Sequence, residues 1–202
     1  MTAIGTLKKI ITIERSVRQA ERKFVPPWML SGEYANKRES FTTNGPRRSV
    51  YLATSLRSLL EIFKKVDLPK EGHFADLGSG LGMACFTASF YFRQVTGFEI
   101  DPKVNAAAEQ IRQKFSLNNV RLINADFLNA DLQPFDVIFM FRPFLDNLLG
   151  TMFEKLKETR PGTLVIRHGY NSDEVFYASL YKGIWKGFLD DINSGTFVYQ
   201  RR

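Results

Sequence analysis

Three glycines and two acidic residues form the most informative pattern in this chain of 202 residues. Residues 74–82 read Phe-Ala-Asp-Leu-Gly-Ser-Gly-Leu-Gly, and Glu99 follows 23 residues after the aspartate of this segment, Asp76. Because glycine has no side chain, such a loop can turn sharply and lie close to a ligand. An acid at the end of the next strand can accept hydrogen bonds from ribose hydroxyls. The pattern therefore predicts the start of a βαβ unit that binds a nucleoside.

The acid ahead of the glycines separates two classes of nucleoside ligand. Dinucleotide loops have the spacing Gly-x-Gly-x-x-Gly, whereas this chain has Asp-x-Gly-x-Gly-x-Gly. We expect Asp76 at the mouth of the loop, where its carboxylate would repel a diphosphate and attract an ammonium group. The loop therefore disfavours NAD and favours a nucleoside that also carries an amino group.

On these residues the chain resembles the Rossmann-like, seven-strand S-adenosylmethionine-dependent methyltransferases, over roughly residues 50–200. The resemblance implies that the chain binds S-adenosyl-L-methionine and releases S-adenosyl-L-homocysteine. It also implies that Asp126 accepts the adenine amino group and that Ile100 or Phe127 flanks the adenine ring. We expect no metal, because no Cys/His cluster has metal-ligand spacing. The expected cofactor-binding residues are Asp76, Gly78, Ser79, Gly80, Gly82, Glu99, Ile100, Asp126, Phe127 and Phe141.

The remaining sequence predicts the elements that must position this site. Short apolar strands alternate with helices, which indicates an α/β three-layer sandwich with a mostly parallel sheet. The last two strands have no helix between them, so we expect an antiparallel C-terminal hairpin. The predicted strands are 74–77, 95–99, 120–124, 135–141, 163–168, 182–188 and 195–200; the predicted helices are 7–24, 50–66, 83–92, 102–115, 145–159 and 174–180.

Charge sets the amino-terminal third apart. Residues 1–70 carry 14 basic and 6 acidic residues, a net charge of +8, whereas residues 71–202 have a net charge of −1. We predict a basic helix and loop extension at 1–48 and a methyltransferase domain at 49–202. The extension can contact nucleic acid, an acidic protein or an anionic membrane surface, or be only a solvated face. Its first helix has an apolar stripe, which predicts docking on the main domain or on a second subunit in preference to a membrane.

The methyl acceptor is the least specified part of the prediction. Family members that methylate exocyclic or amide nitrogens carry Asn/Asp-Pro-Pro-Phe/Tyr after the fourth strand, where this chain has Phe141-Arg142-Pro143-Phe144. The chain resembles the small protein-lysine methyltransferases more closely, which implies an amine acceptor on a protein. That resemblance rests on Asp76–Gly82, Gly97–Asp101, Met140-Phe141, Arg160–Thr163 and Arg167-His168. Arg142 would repel a lysine amine that faces it, or would bind an acidic substrate. RNA or small-molecule methylation and non-catalytic cofactor binding stay open as alternatives.

Three residues are candidates for the acceptor side, namely Phe141, Arg142 and His168. His168 ends the fifth predicted strand and is a candidate general base, with a structural histidine bonded to backbone as the alternative. Cys85 is the sole cysteine and is interpreted as a buried core thiol, so no internal disulfide is possible. A reducing, cytoplasmic setting fits this composition. No apolar run reaches the roughly 18 residues of a membrane span.

Overall fold

The computed structural model describes residues 3–24, 54–141, 149–170, 180–189 and 194–202. Within these ranges the helices are α1 (Ala3–Glu21), α2 (Leu56–Lys65), α3 (Met83–Ala88), α4 (Pro102–Lys114) and α5 (Leu149–Leu156). The strands are β1 (His73–Leu77), β2 (Gln94–Glu99), β3 (Val120–Asn124), β4 (Val137–Phe141), β5 (Leu164–Tyr170), β6 (Tyr181–Leu189) and β7 (Ser194–Arg201). A short 3-10 turn occupies Phe127–Asn129. None of the described helices is both long and apolar enough to cross a membrane.

The seven strands form one sheet in the order β3-β2-β1-β4-β5-β7-β6. Strands β1 to β5 pair in parallel, whereas β7 is antiparallel to both β5 and β6. The predicted mixed sheet with an antiparallel C-terminal hairpin is therefore confirmed. Because the parallel strands all end at the same edge, the residues after β1, β2, β3 and β4 meet there.

Successive residues of the central strand point to opposite faces, and each face has its own core. Phe74 belongs to a cluster with residues of α1 to α4, and its ring centroid lies 5.9 Å from that of Phe63 and 5.0 Å from that of Phe92. Ala75 belongs to a second cluster, which includes Met152 of α5 and the hairpin residue Phe197. The sheet thus lies between two apolar layers, as the alternating pattern predicts.

Helix α1 is packed into the first of these cores. Ile10, Ile13 and Val17 are 2%, 0% and 0% exposed and share a cluster with Phe74 and Cys85. The helix contacts α3 and α4, and Lys114 Nζ of α4 lies 3.2 Å from Ser16 Oγ. The structure therefore shows the apolar stripe docked on the main domain. The boundary of a separate extension at residue 48 lies outside the described residues and stays a prediction.

We expect Ile13→Val to lower the free energy of unfolding by about 1 kcal/mol, because it removes one methylene from a fully buried site. This corresponds to a fall in melting temperature of about 2–4 °C for a domain of this size. Ile4→Val makes the same change on the same helix at a side chain that is 71% exposed, and should leave the melting curve unchanged. Equal shifts for the two variants would show that α1 is not docked as described.

Several element ends differ from the predicted ones. Helix α3 ends at Ala88 and not near 92, because Asn119 Nδ2 donates to the carbonyls of Ser89 (2.8 Å) and Phe92 (3.1 Å) and the chain turns there. Strand β4 begins at Val137, after a turn in which Phe135 N donates to Leu132 O. Predictions for the loop at 31–48, the helix at 174–179 and the ends of two others at 50–53 and 145–148 lie outside the described residues.

Candidate functional site

The glycine loop after β1 is a tight turn that folds back onto β2. Gly78, Gly80 and Gly82 have φ values of 86°, 54° and 85°, which are left-handed conformations that favour glycine. The amides of Gly78 and Ser79 both donate to Phe98 O, at 3.0 and 2.8 Å. A Cβ atom on Gly82 would lie only 2.6 Å from the Phe86 ring. Both backbone conformation and space therefore require glycine at this last position.

Glu99 connects the loop to the end of β2. Its Oε2 accepts a hydrogen bond from Gly80 N at 2.9 Å, and its Oε1 accepts one from Asp101 N at 2.8 Å. Burial raises the pKa of the Glu99 carboxyl, while these two amide donors act in the opposite direction. A carboxylate has about four acceptor sites, so the two oxygens that accept from Gly80 N and Asp101 N can also accept the hydroxyls of a ribose.

Asp76 lies beneath the loop and not at its mouth. It is a β1 residue in register with Gly97 and Phe139, and it is only 4% exposed. Its Oδ2 lies 3.6 Å from Cys85 Sγ. Burial raises the pKa of Asp76 to about 7, the thiol hydrogen bond lowers it and the charge of Glu99 raises it. The expected position at the mouth of the loop is thus corrected.

Two further residues, outside the predicted set of cofactor-binding residues, shape this site. A Cβ atom on Gly97 would lie 2.7 Å from Cys85 Sγ and 2.8 Å from Ser79 Oγ, so this glycine makes room for both polar atoms. Asn124 Nδ2 donates to the carbonyls of Glu99 (2.8 Å) and Ile100 (3.1 Å) and fixes the chain after β2. A glycine inside an apolar strand was the available signal for the first of these.

The predicted adenine-binding residues lie directly after β2 and β3. Ala125 N donates to Glu99 O at 3.0 Å, which places Asp126 at the same sheet edge as Glu99. The Asp126 side chain caps the following 3-10 turn by accepting from Leu128 N at 3.0 Å. Phe127 is 5% exposed and packs in the second core, whereas Ile100 is 45% exposed. Of these two side chains, Ile100 offers the accessible apolar surface.

On the acceptor side, Phe141 and His168 lie side by side on β4 and β5. They are in register, and their ring centroids are 5.0 Å apart at an interplanar angle of 31°. His168 is fully buried, and its Nδ1 lies 2.7 Å from Thr196 Oγ1. This placement favours the alternative of a structural histidine over the candidate general base, with the Thr196 hydroxyl as one partner. Arg142 lies outside the described residues.

No group of three His, Cys, Asp or Glu side chains within the described ranges is arranged to hold a metal ion. The described part of the site consists of the glycine loop and of the acids Asp76, Glu99 and Asp126. Residues 68–183 match a family whose description is "Methyltransferase domain". The chain belongs to this methyltransferase family. The family, predicted from Asp76, Glu99 and the glycines, is thus confirmed.

One curated relative and two solved structures are similar to this chain. Human EEF1A lysine methyltransferase 2 is 26% identical over 102 residues, which are 50% of this chain and 43% of the relative. The matched part of the methyltransferase chain thus spans less than half of that relative's length.

Both structures share the fold of this methyltransferase at low sequence identity. An RNA methyltransferase from Salinibacter ruber, in complex with S-adenosyl-L-homocysteine, has a TM-score of 0.56 and 21% identity, with coverage of 74% of this chain and 93% of that one. A ribosomal protein L11 methylase from Lactobacillus delbrueckii subsp. bulgaricus has a TM-score of 0.59 and 19% identity, with coverage of 72% and 78%. At these identities the structures establish the fold alone.

Proposed function

We propose that this protein transfers a methyl group from S-adenosylmethionine to an amine, and that the amine is a lysine side chain of a protein. The contact between Glu99 and Gly80 N carries the cofactor assignment, because it joins the ribose acceptor and the glycine loop into one surface. Membership of the methyltransferase family supports the reaction. The similarity to human EEF1A lysine methyltransferase 2 supports lysine as the acceptor.

The described residues fit the chemical groups of this cofactor. Glu99 accepts the ribose hydroxyls, and the loop without side chains allows the backbone to approach the ligand closely. The carboxyl of Asp76 lies under the same loop and, when ionised, attracts the ammonium group of the methionine part. Asp126 and the exposed side chain of Ile100 lie beyond β2 and β3, where the adenine would extend.

The protein's own contribution to the reaction is binding and alignment. When bound, S-adenosylmethionine supplies a methyl group on a positively charged sulfur that is already activated as a leaving group. Alignment of two reactants can contribute up to about 7–11 kcal/mol, so the site needs no covalent catalyst. An amine acceptor must first lose a proton, to solvent or to a base. We assign no base, and Phe141, Arg142 and His168 remain acceptor-side candidates.

The experiment that tests this function follows the methyl label. The full chain is incubated with cell extract and S-adenosylmethionine labelled on its methyl group, and the sample is divided between protease and nuclease. We expect formation of S-adenosylhomocysteine and loss of the macromolecular label only after protease. Absence of S-adenosylhomocysteine would refute the enzyme and leave a cofactor-binding protein. Loss of label only after nuclease would refute the protein acceptor.

An RNA acceptor is the second candidate, and the exposed face of α1 is the observation that favours it. Lys8, Arg15 and Arg22 recur every seven residues on this helix and are all exposed, while its apolar side is buried. A row of cations on a docked helix can contact successive phosphates of a nucleic acid. Because α1 also contributes to the core, its charges must be tested without deleting the helix.

For this candidate we expect the triple substitution Lys8→Gln, Arg15→Gln, Arg22→Gln to weaken RNA binding. The slope of log affinity against log salt should become shallower by about two units, because up to three phosphate contacts are lost. The control replaces Lys182, Lys186 and Arg202, which are exposed on the C-terminal hairpin and beyond it, and removes the same charge. Filter binding of RNA across a salt series measures the affinity and the salt slope of both triple variants. Equal effects of the two triple variants would rule out α1 as a specific contact.

A further inference from the structure

A small polar cluster is buried beneath the glycine loop. It consists of Asp76, Ser79 and Cys85, which are 4%, 7% and 0% exposed and belong to three successive elements of the chain. Gly97 of β2 forms the floor of the cluster, since a Cβ atom there would overlap both Cys85 Sγ and Ser79 Oγ. The absence of a side chain at this position therefore allows a thiol and a hydroxyl to approach the base of the loop.

Within the cluster, the Cys85 thiol is a hydrogen-bond donor to Asp76. Its Sγ lies 3.6 Å from Asp76 Oδ2, which is within range for a sulfur donor. Burial and the neighbouring charge of Asp76 raise the pKa of the Cys85 thiol well above its usual range, so the proton stays on sulfur. A cysteine with a raised pKa and no solvent access is unsuited to act as a nucleophile. The thiol can instead donate a hydrogen bond to the carboxylate.

We propose that Cys85 is a positioning residue, whose thiol holds the Asp76 carboxylate in one orientation and in its charged form for the ammonium group of the cofactor. The inference rests on the proposed function, since it assigns a role in cofactor binding. An aliphatic side chain at position 85 would fill the same space in the core. The specific prediction is therefore that the hydrogen-bond donor at position 85 contributes to cofactor affinity, in addition to the volume of the side chain.

The charges around Asp76 determine the expected pH dependence. Burial is the largest cause of the raised pKa of Asp76. The hydrogen bond from the Cys85 thiol on α3 lowers this pKa, and the carboxylate of Glu99 on β2 raises it. The neighbour on β4 is Phe139, which carries no charge. A carboxyl with a raised pKa loses its charge as the pH falls through that value, here about 7. Cofactor affinity should therefore decrease below neutral pH, and removal of the thiol donor should move this decrease to higher pH.

The test compares the wild-type protein with Cys85→Ala, Cys85→Val and Cys85→Ser. The valine fills the space without a donor, and the serine restores a donor in a smaller side chain. Calorimetric titration with S-adenosylmethionine should show affinity at neutral pH reduced about three- to tenfold in the alanine and valine variants, the range expected for one hydrogen bond. The difference should narrow as the pH rises from about 6 to about 7.5, because Asp76 becomes ionised in a larger share of every variant while the ligand keeps its ammonium charge. Serine should restore most of the loss.

A second measurement separates this inference from the proposed function. Carbon-13 NMR of the aspartate carboxyls, without cofactor, follows the titration of Asp76 directly, with Asp76→Asn assigning the signal. Its midpoint should rise in the alanine and valine variants and return toward the wild-type value in the serine variant. Unchanged midpoints, or a loss of affinity that is equal at every pH and is not restored by serine, would overturn the role of Cys85. A wild-type protein that fails to bind S-adenosylmethionine would instead refute the proposed function.

Discussion

Replacement of Glu99 by alanine is expected to weaken binding of S-adenosylmethionine about 100-fold. A hydrogen bond to a charged group contributes about 1.5–3 kcal/mol, and a carboxylate can accept both hydroxyls of one ribose. A loss of about 3 kcal/mol corresponds to the stated factor. The same substitution leaves the amides of Gly80 and Asp101 without their side-chain acceptor, so the loop also loses one of its connections to β2.

Two further variants show whether the charge at position 99 is the cause. Glu99→Gln retains one carbonyl acceptor, so its affinity for S-adenosylmethionine should lie between those of Glu99→Ala and the wild type. Glu109→Ala removes a carboxylate that pairs with Arg112 on the outer part of α4, and should leave the affinity unchanged. Calorimetry gives the dissociation constants, and thermal melting shows that each variant is folded. An affinity of Glu99→Ala equal to that of the wild type would mean that another residue binds the ribose.

The second large effect is expected for Gly82→Ala, which should lower the free energy of unfolding by about 3 kcal/mol. A left-handed conformation costs a residue with a Cβ atom about 1–2 kcal/mol. The new methyl group would also lie 2.6 Å from the ring of Phe86, which is fully buried and cannot move without disturbing the core. Overpacking of this kind typically costs about 1–3 kcal/mol.

Gly162 provides a matched control for this substitution. Its φ of 88° is close to the 85° of Gly82, but no atom outside its immediate neighbours lies within 4 Å of a Cβ atom built there. Gly162→Ala should therefore show only the conformational cost, about 1–2 kcal/mol. Denaturant unfolding of the two variants separates the two contributions. Equal losses would contradict the close approach of Phe86 to Gly82.

The sequence predicts the strands best where apolar runs end at glycine, proline or acidic residues. Strand β3 has its predicted bounds at 120–124, and β1 and β2 each begin one residue early. Helix α4 begins at Pro102, where Asp101 accepts hydrogen bonds from Lys103 N and Val104 N as its cap. These features depend on local chemistry that is visible within a few residues. They also determine the position of the glycine loop and of Glu99.

Other parts of the site depend on contacts between distant segments, and local patterns do not reveal them. The contact of Asp76 with Cys85 depends on how α3 lies across β1. The burial of His168 depends on β7, which supplies Thr196 and covers one edge of β5. Phe127 follows an acid in a polar stretch, and only the assembled second core shows that its side chain points inward. Each of these features depends on tertiary contacts that no local pattern contains.

The docking of α1 constrains the order in which this protein can assemble. The helix ends at Glu21, whereas the helices that it contacts begin at Met83 and Pro102. On the ribosome, α1 is therefore synthesised long before the surface that it packs against. Until then its apolar side is exposed to solvent or to other molecules. Long-range contacts of this kind form late and slow the folding of a domain. The positive charges on the opposite side of the helix oppose association between nascent chains during this interval.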